Sequence, residues 1–160
     1  MDAAVALAET LQSSAFGAWA RGSSYAYPAA NLIHLLGLAM LVGGIGLLDL
    51  RLFGAFRAIP VAALWRVLTP IGVAGLLLMV PSGFVMFAAD AGALAVSDTF
   101  RRKLMLITLA LVNAGAYRLA WRRRLGDWDA TAPWIARALA LTSLLLWLTV
   151  AALGRLIAYT

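Results

Sequence analysis

The 160-residue sequence has no cysteine and a single histidine, and only 12% of its residues carry charge. Without cysteine the chain can form no disulfide, thiolate zinc site, iron–sulfur cluster or thiol nucleophile. One histidine excludes any two-histidine metal site within one copy. The charged fraction is about half the ~25% of an ordinary soluble domain, while hydrophobic residues reach 64% against the usual ~45–50%. Such a composition belongs to a chain built for lipid. Its net charge of +6 therefore reads as membrane topology, and a nucleic-acid partner is not expected.

What is present is long apolar runs. Four charge-poor stretches predict transmembrane helices at about 28–50, 66–90, 100–121 and 134–158, within a single integral membrane domain covering 1–160. Helices, not a barrel, follow from long Leu- and Ala-rich runs without alternation. Ahead of them Val5, Ala8, Leu11, Ala15, Phe16 and Trp19 share a helical face, predicting a retained interfacial amphipathic helix. The fold class expected is thus all-α: a transmembrane four-helix bundle with an N-terminal interfacial helix. Pro81 should kink the second span. Ser97, Asp98 or Thr99 can cap the third, and Thr131 followed by Pro133 offers a cap for the fourth. The connections after the first and third spans hold 8 basic residues, against 5 in the remaining extramembrane segments. The excess of Lys and Arg on cytoplasmic loops then puts both termini on the periplasmic side of a bacterial inner membrane. The run Arg122 to Arg124 suits a cytoplasmic stop signal that also meets anionic headgroups.

Polar groups inside an apolar helix cost energy, so those that share a face define the interior. Asn31, His34, Leu38, Leu41 and Leu48 do so on the first span, flanked by Gly37 and Gly44. Lys103, Leu106, Ala110, Asn113 and Tyr117 follow the same spacing on the third, and Met79, Ser82, Met86 and Asp90 on the second. With both termini on one side, His34, Met86, Asp90, Lys103 and Arg155 fall in the same half of the membrane. Ionisable groups at that depth are candidates for function. A purely structural alternative pairs Asp90 or Asp98 with Lys103 or Arg155 and Asp49 with Arg118 or Arg122, and makes of Asn113 an interhelical hydrogen bond. The candidate ligand-binding residues are His34, Met86, Asn113 and Arg155, with His34 also the candidate metal ligand. Asp49, Asp90 and Lys103 are candidate polar pairs.

Three functions follow. The leading one is a non-catalytic module that binds a partner or apolar ligand in a polar intramembrane pocket near the outer face, around His34, Asn113 and Arg155. The second is membrane electron transfer with haem b or quinone. For haem, a second ligand would have to be Met86, Met105 or His34 of another subunit. The third is passage of copper or another metal ion over His34 and the Met side chains. Besides the bilayer, a second copy or a membrane protein is the expected partner. Catalysis is not expected, because no Ser–His–Asp order, metal-ligand spacing, phosphate loop or dinucleotide fingerprint occurs.

Tyr27-Pro28, His34-Leu35-Leu36-Gly37, Asp49-Leu50-Arg51-Leu52-Phe53-Gly54, Phe100 with Lys103, Asn113, Ser143 to Trp147 and Gly154 to Tyr159 carry a resemblance. Over nearly its full length the chain resembles a family of small uncharacterised bacterial inner-membrane proteins with four transmembrane helices. It is similar, more remotely, to copper-resistance-D-like and cytochrome-b561-like membrane modules. Members of the closer family often have a further histidine soon after the Asn of the third span, where this chain has Tyr117 and Arg118. That departure removes one partner of any two-histidine haem the resemblance would imply.

Overall fold

The computed structural model describes residues 2–159. All regular structure among them is helical: α1 (Asp2–Ser13), α2 (Ala15–Gly22), α3 (Ala26–Phe53), α4 (Val61–Ala89), α5 (Ala91–Val96), α6 (Asp98–Trp121), α7 (Trp128–Thr131) and α8 (Trp134–Leu156). Short 3₁₀ turns follow α6 and α8. α3, α4, α6 and α8 are each long and apolar enough to cross a membrane. At ~1.5 Å per residue, 23 to 29 residues reach ~35–44 Å, more than the ~30 Å of hydrocarbon. Their outward faces carry exposed Leu32, Leu77, Val80, Leu104 and Leu145, the surface a lipid-immersed bundle presents.

The tightest seam runs between α3 and α4, and two further seams join α8 to α3 and to α6. Small residues cause the first. A Cβ built on Gly75 would lie 2.5 Å from the Gly37 carbonyl oxygen, and one on Gly44 would lie 2.9 Å from that of Leu68. The helix backbones touch there, as glycine alone permits. No comparable backbone seam joins α4 to α6. Instead two stacked ring pairs span that gap, Trp65 with Tyr117 at 6.3 Å and Phe87 with Phe100 at 5.5 Å.

The N-terminal segment is two helices where the sequence suggests one. Ser14 breaks it: its hydroxyl accepts from the Gly17 N–H and caps α2. Both helices fold over the end of the bundle that holds the termini. Gln12 accepts from the Gly92 N–H, Arg21 donates to the Ala89 carbonyl, and Phe16 stacks on Phe84. The predicted apolar face is therefore divided. Ala8 is buried, whereas Phe16 and Trp19 stay exposed.

α4 runs unbroken through Pro70 and Pro81. Ser82 donates to the Leu78 carbonyl at 2.6 Å, a side-chain bond in the turn that Pro81 deprives of an N–H. Ser97 caps α6 by accepting from the Phe100 N–H. Ser97→Ala should lower stability in detergent by about 1 kcal/mol, measurable as a shift in the unfolding midpoint. The expected cap at Thr131 does not form. Thr131 is the last residue of α7, its hydroxyl donates back to Asp127, and Pro133 takes the N-cap position of α8 with no side-chain bond.

Candidate functional site

The faces inferred from helical spacing meet inside the bundle, but around two cavities. The first, about 390 Å³, opens at the end that holds the termini; His34, Met86, Asp90, Lys103 and Arg155 all line it, with Tyr27 and Asn31. Ser82 fixes the imidazole. Its Oγ lies 3.1 Å from His34 Nδ1 and 2.6 Å from the Leu78 carbonyl oxygen. In the Nδ1–H tautomer the imidazole donates to Ser82 and Nε2 is an acceptor; in the Nε2–H tautomer the roles reverse.

The charged groups of this cavity stay apart. Among the described residues no carboxylate lies within ion-pair distance of Lys103 or Arg155, and Asp90 has no basic partner. Among the described residues Asp98 pairs only with Arg101 on its own helix, at 3.4 Å. The expected pairing of Asp90 or Asp98 with Lys103 or Arg155 is thus absent. Arg155 instead donates to the Tyr159 hydroxyl at 2.7 Å and lies over its ring. Lys103 Nζ rests 3.3 Å from where a Cβ on Gly154 would stand, which shows how closely α6 and α8 approach at this level.

Asn113 belongs elsewhere, because it sits ten residues, close to three helical turns, beyond Lys103. It donates to the Leu139 carbonyl at 3.3 Å, as an interhelical bond, and lines a second cavity of about 220 Å³. Asp49, Thr69, Tyr117, Ser143 and Trp147 share that cavity, with Arg118 also on its wall. Asp49 meets neither Arg118 nor Arg122 in an ion pair. Its carboxyl lies close to the Ser143 hydroxyl, while Oδ2 is buried without a partner. Thr69 Oγ1, the Tyr117 hydroxyl and Trp147 Nε1 are also buried and unpartnered. Four orphan polar atoms around one apolar cavity form a second polar centre. Periodicity alone missed Thr69 and Trp147, and read Asp49 as half of a structural pair.

Between the cavities stands a packed layer of Leu41, Met79, Ala110 and Trp147. Beyond the second cavity Arg51 is fully buried. Its guanidinium binds both carboxylate oxygens of Asp129, at 3.0 and 2.6 Å, and donates to the Ile59 carbonyl at 2.7 Å. That pair closes the end of the bundle opposite the termini.

The family model DUF6644, described as a family of unknown function, matches residues 6–160. The chain belongs to the DUF6644 family. This agrees with the resemblance to an uncharacterised family; nothing in the comparisons supports the remote copper-resistance-D-like or cytochrome-b561-like likeness. No curated protein and no solved structure matches this DUF6644 chain.

No second histidine accompanies His34 as a haem ligand within one copy of this DUF6644 chain. Met105 is 72% exposed on the outside of α6 and cannot be a cavity ligand. Met86 lies on α4 three residues from Gly83, and a Cβ on Gly83 would stand 3.1 Å from His34 Cε1. The imidazole packs against the helix that bears Met86. Among the described residues no group of three His, Asp or Glu side chains could hold a metal ion, and the cluster of Leu41, Met79, Ala110 and Trp147 lies between the two cavities.

Proposed function

We propose that the protein is a non-catalytic, multi-pass module of the bacterial inner membrane that binds a small amphiphile, or the corresponding part of a membrane partner, in the first cavity. The greater number of basic residues on the 54–60 and 122–133 connections supports periplasmic termini, which places this cavity at the outer face. One observation carries the reading: Lys103 lines an intramembrane cavity beside His34 and Arg155, with no carboxylate in ion-pair reach among the described residues. An ammonium held at such depth calls for an oxygen acceptor, and a bound head group supplies one. The ligand class is an apolar molecule with an oxygen-rich head. Leu35, Leu38 and Val150 on the same walls suit its hydrocarbon.

Quinone is the second reading. Its carbonyl can accept from Lys103 while His34 Nε2, in the Nδ1–H tautomer, offers an acceptor for the reduced hydroxyl.

The test is the lipophile that travels with the protein. Wild type purified in mild detergent from its native membrane should retain one species in near-stoichiometric amount by mass spectrometry. Lys103→Met should retain at least about tenfold less, since hydrogen bonds to a charged group contribute ~1.5–3 kcal/mol. Equal retention by both proteins would overturn the reading, and a retained quinone would select the electron-transfer alternative.

A further inference from the structure

The second cavity has chemistry of its own, independent of the first. Asp49 is 6% exposed, and no basic side chain among the described residues comes within ion-pair distance. A buried carboxyl in that state lacks both a counter-charge and, at Oδ2, a hydrogen-bond donor. Thr69 Oγ1 and the Tyr117 hydroxyl, on residues that line the same cavity, are two more buried oxygens without partners. A primary ammonium has three N–H donors for these three oxygens. The rings of Trp65, Tyr117 and Trp147 line the same walls, and aromatic faces attract cations most where water is excluded. Arg118, the one basic residue on the wall, is exposed, so water screens its charge at the edge of the site.

The surroundings show how such a ligand would enter. α4 and α6 form no continuous backbone seam, and the cavity walls there include the exposed residues Val73, Leu111, Ala114 and Gly115. A Cβ on Gly115 would meet nothing within 4 Å. The cavity therefore opens sideways toward lipid. A head inside it would have its hydrocarbon tail outside, among acyl chains.

We propose that the second cavity is a binding site for the ammonium head of a lipophilic primary amine, reached from the bilayer between α4 and α6 and held by Asp49, Thr69 and Tyr117. The unpartnered Trp147 N–H suits an oxygen borne close to the nitrogen. A free long-chain amine and an aminophospholipid share this head chemistry.

The experiment uses the full chain reconstituted in phosphatidylcholine vesicles and titrated with dodecylamine, read by tryptophan emission, since Trp65 and Trp147 line the cavity. Saturable binding is expected, with dodecanol and dodecyltrimethylammonium at least tenfold weaker because one lacks the charge and the other the N–H donors. Competition by phosphatidylethanolamine assigns the natural head to a lipid, and its failure to compete assigns it to a free amine. Asp49→Asn should weaken dodecylamine at least tenfold. Should that variant fail to fold, Tyr117→Phe and Gly115→Leu serve in its place. The first removes an acceptor; the second adds bulk at the lateral opening, from a Cβ that meets nothing within 4 Å, and should slow or block entry. Dodecanol binding as tightly as dodecylamine, or unchanged affinity in all folded variants, would overturn the site while leaving the reading of the first cavity intact.

Discussion

Arg51→Ala should lower the unfolding free energy in detergent by about 2–4 kcal/mol, from the loss of charge-assisted hydrogen bonds and of the packing of a fully buried side chain. The guanidinium is 0% exposed and its fork is fully engaged, by Asp129 on one side and the Ile59 carbonyl on the other. Removing it leaves a void in the bundle end and frees the 54–60 connection from α7. Asp129 is half exposed and regains water, so most of the loss comes from the Arg51 side. Arg101→Ala is the milder comparison, losing two bonds to the Ala95 carbonyl at 3.2 Å beside its ion pair, and should cost about 1 kcal/mol. Its bond to Asp98 lies between two exposed side chains of one helix, and such pairs contribute ~0.3–0.5 kcal/mol. Chemical unfolding followed by tryptophan emission checks both; equal losses would refute the assignment of Arg51 as the tie.

The second large effect is steric. Gly75→Ala puts a methyl 2.5 Å from the Gly37 carbonyl oxygen and 2.7 Å from the Leu41 nitrogen, both backbone atoms that cannot swing aside. α3 and α4 must separate, with an expected loss of about 1–3 kcal/mol, as for overpacking of a well-filled core. Gly75→Leu should abolish recovery of folded protein. Gly43→Ala, where the added carbon meets nothing within 4 Å, should be neutral or stabilise by up to about 1 kcal/mol. Melting curves of the three variants decide it, and a neutral Gly75→Ala would mean that the seam is not closed.

The four spans were legible because lipid imposes one strong rule, an uninterrupted apolar run of sufficient length. α3 extends from Ala26 to Phe53, a few residues past each expected boundary, since a helix continues into the interface wherever its caps allow. Spacing along α3, α4 and α6 also identified the inward faces. It could not tell at which level two inward residues meet, because that depends on how the helices slide past one another. Hence His34 and Asn113, expected around one pocket, lie in different cavities. The Arg51–Asp129 tie was hidden for a related reason. It joins residues 78 positions apart, through a short helix between the third and fourth spans that carries no periodic signal. Asp49 was misplaced because a carboxylate near several arginines suggests a partner, whereas its rotation on α3 turns it toward Ser143 instead.

The layer of Leu41, Met79, Ala110 and Trp147 divides a half hollowed at the end that holds the termini from a half that the Arg51–Asp129 pair closes. Where water fills the open recess, little resistance remains there, and a transmembrane voltage then drops mainly across this layer and the closed half behind it. One elementary charge carried through the full potential is worth ~2.3 kcal/mol per 100 mV, so this barrier lets the protein house polar groups deep in the bilayer while keeping the membrane an insulator.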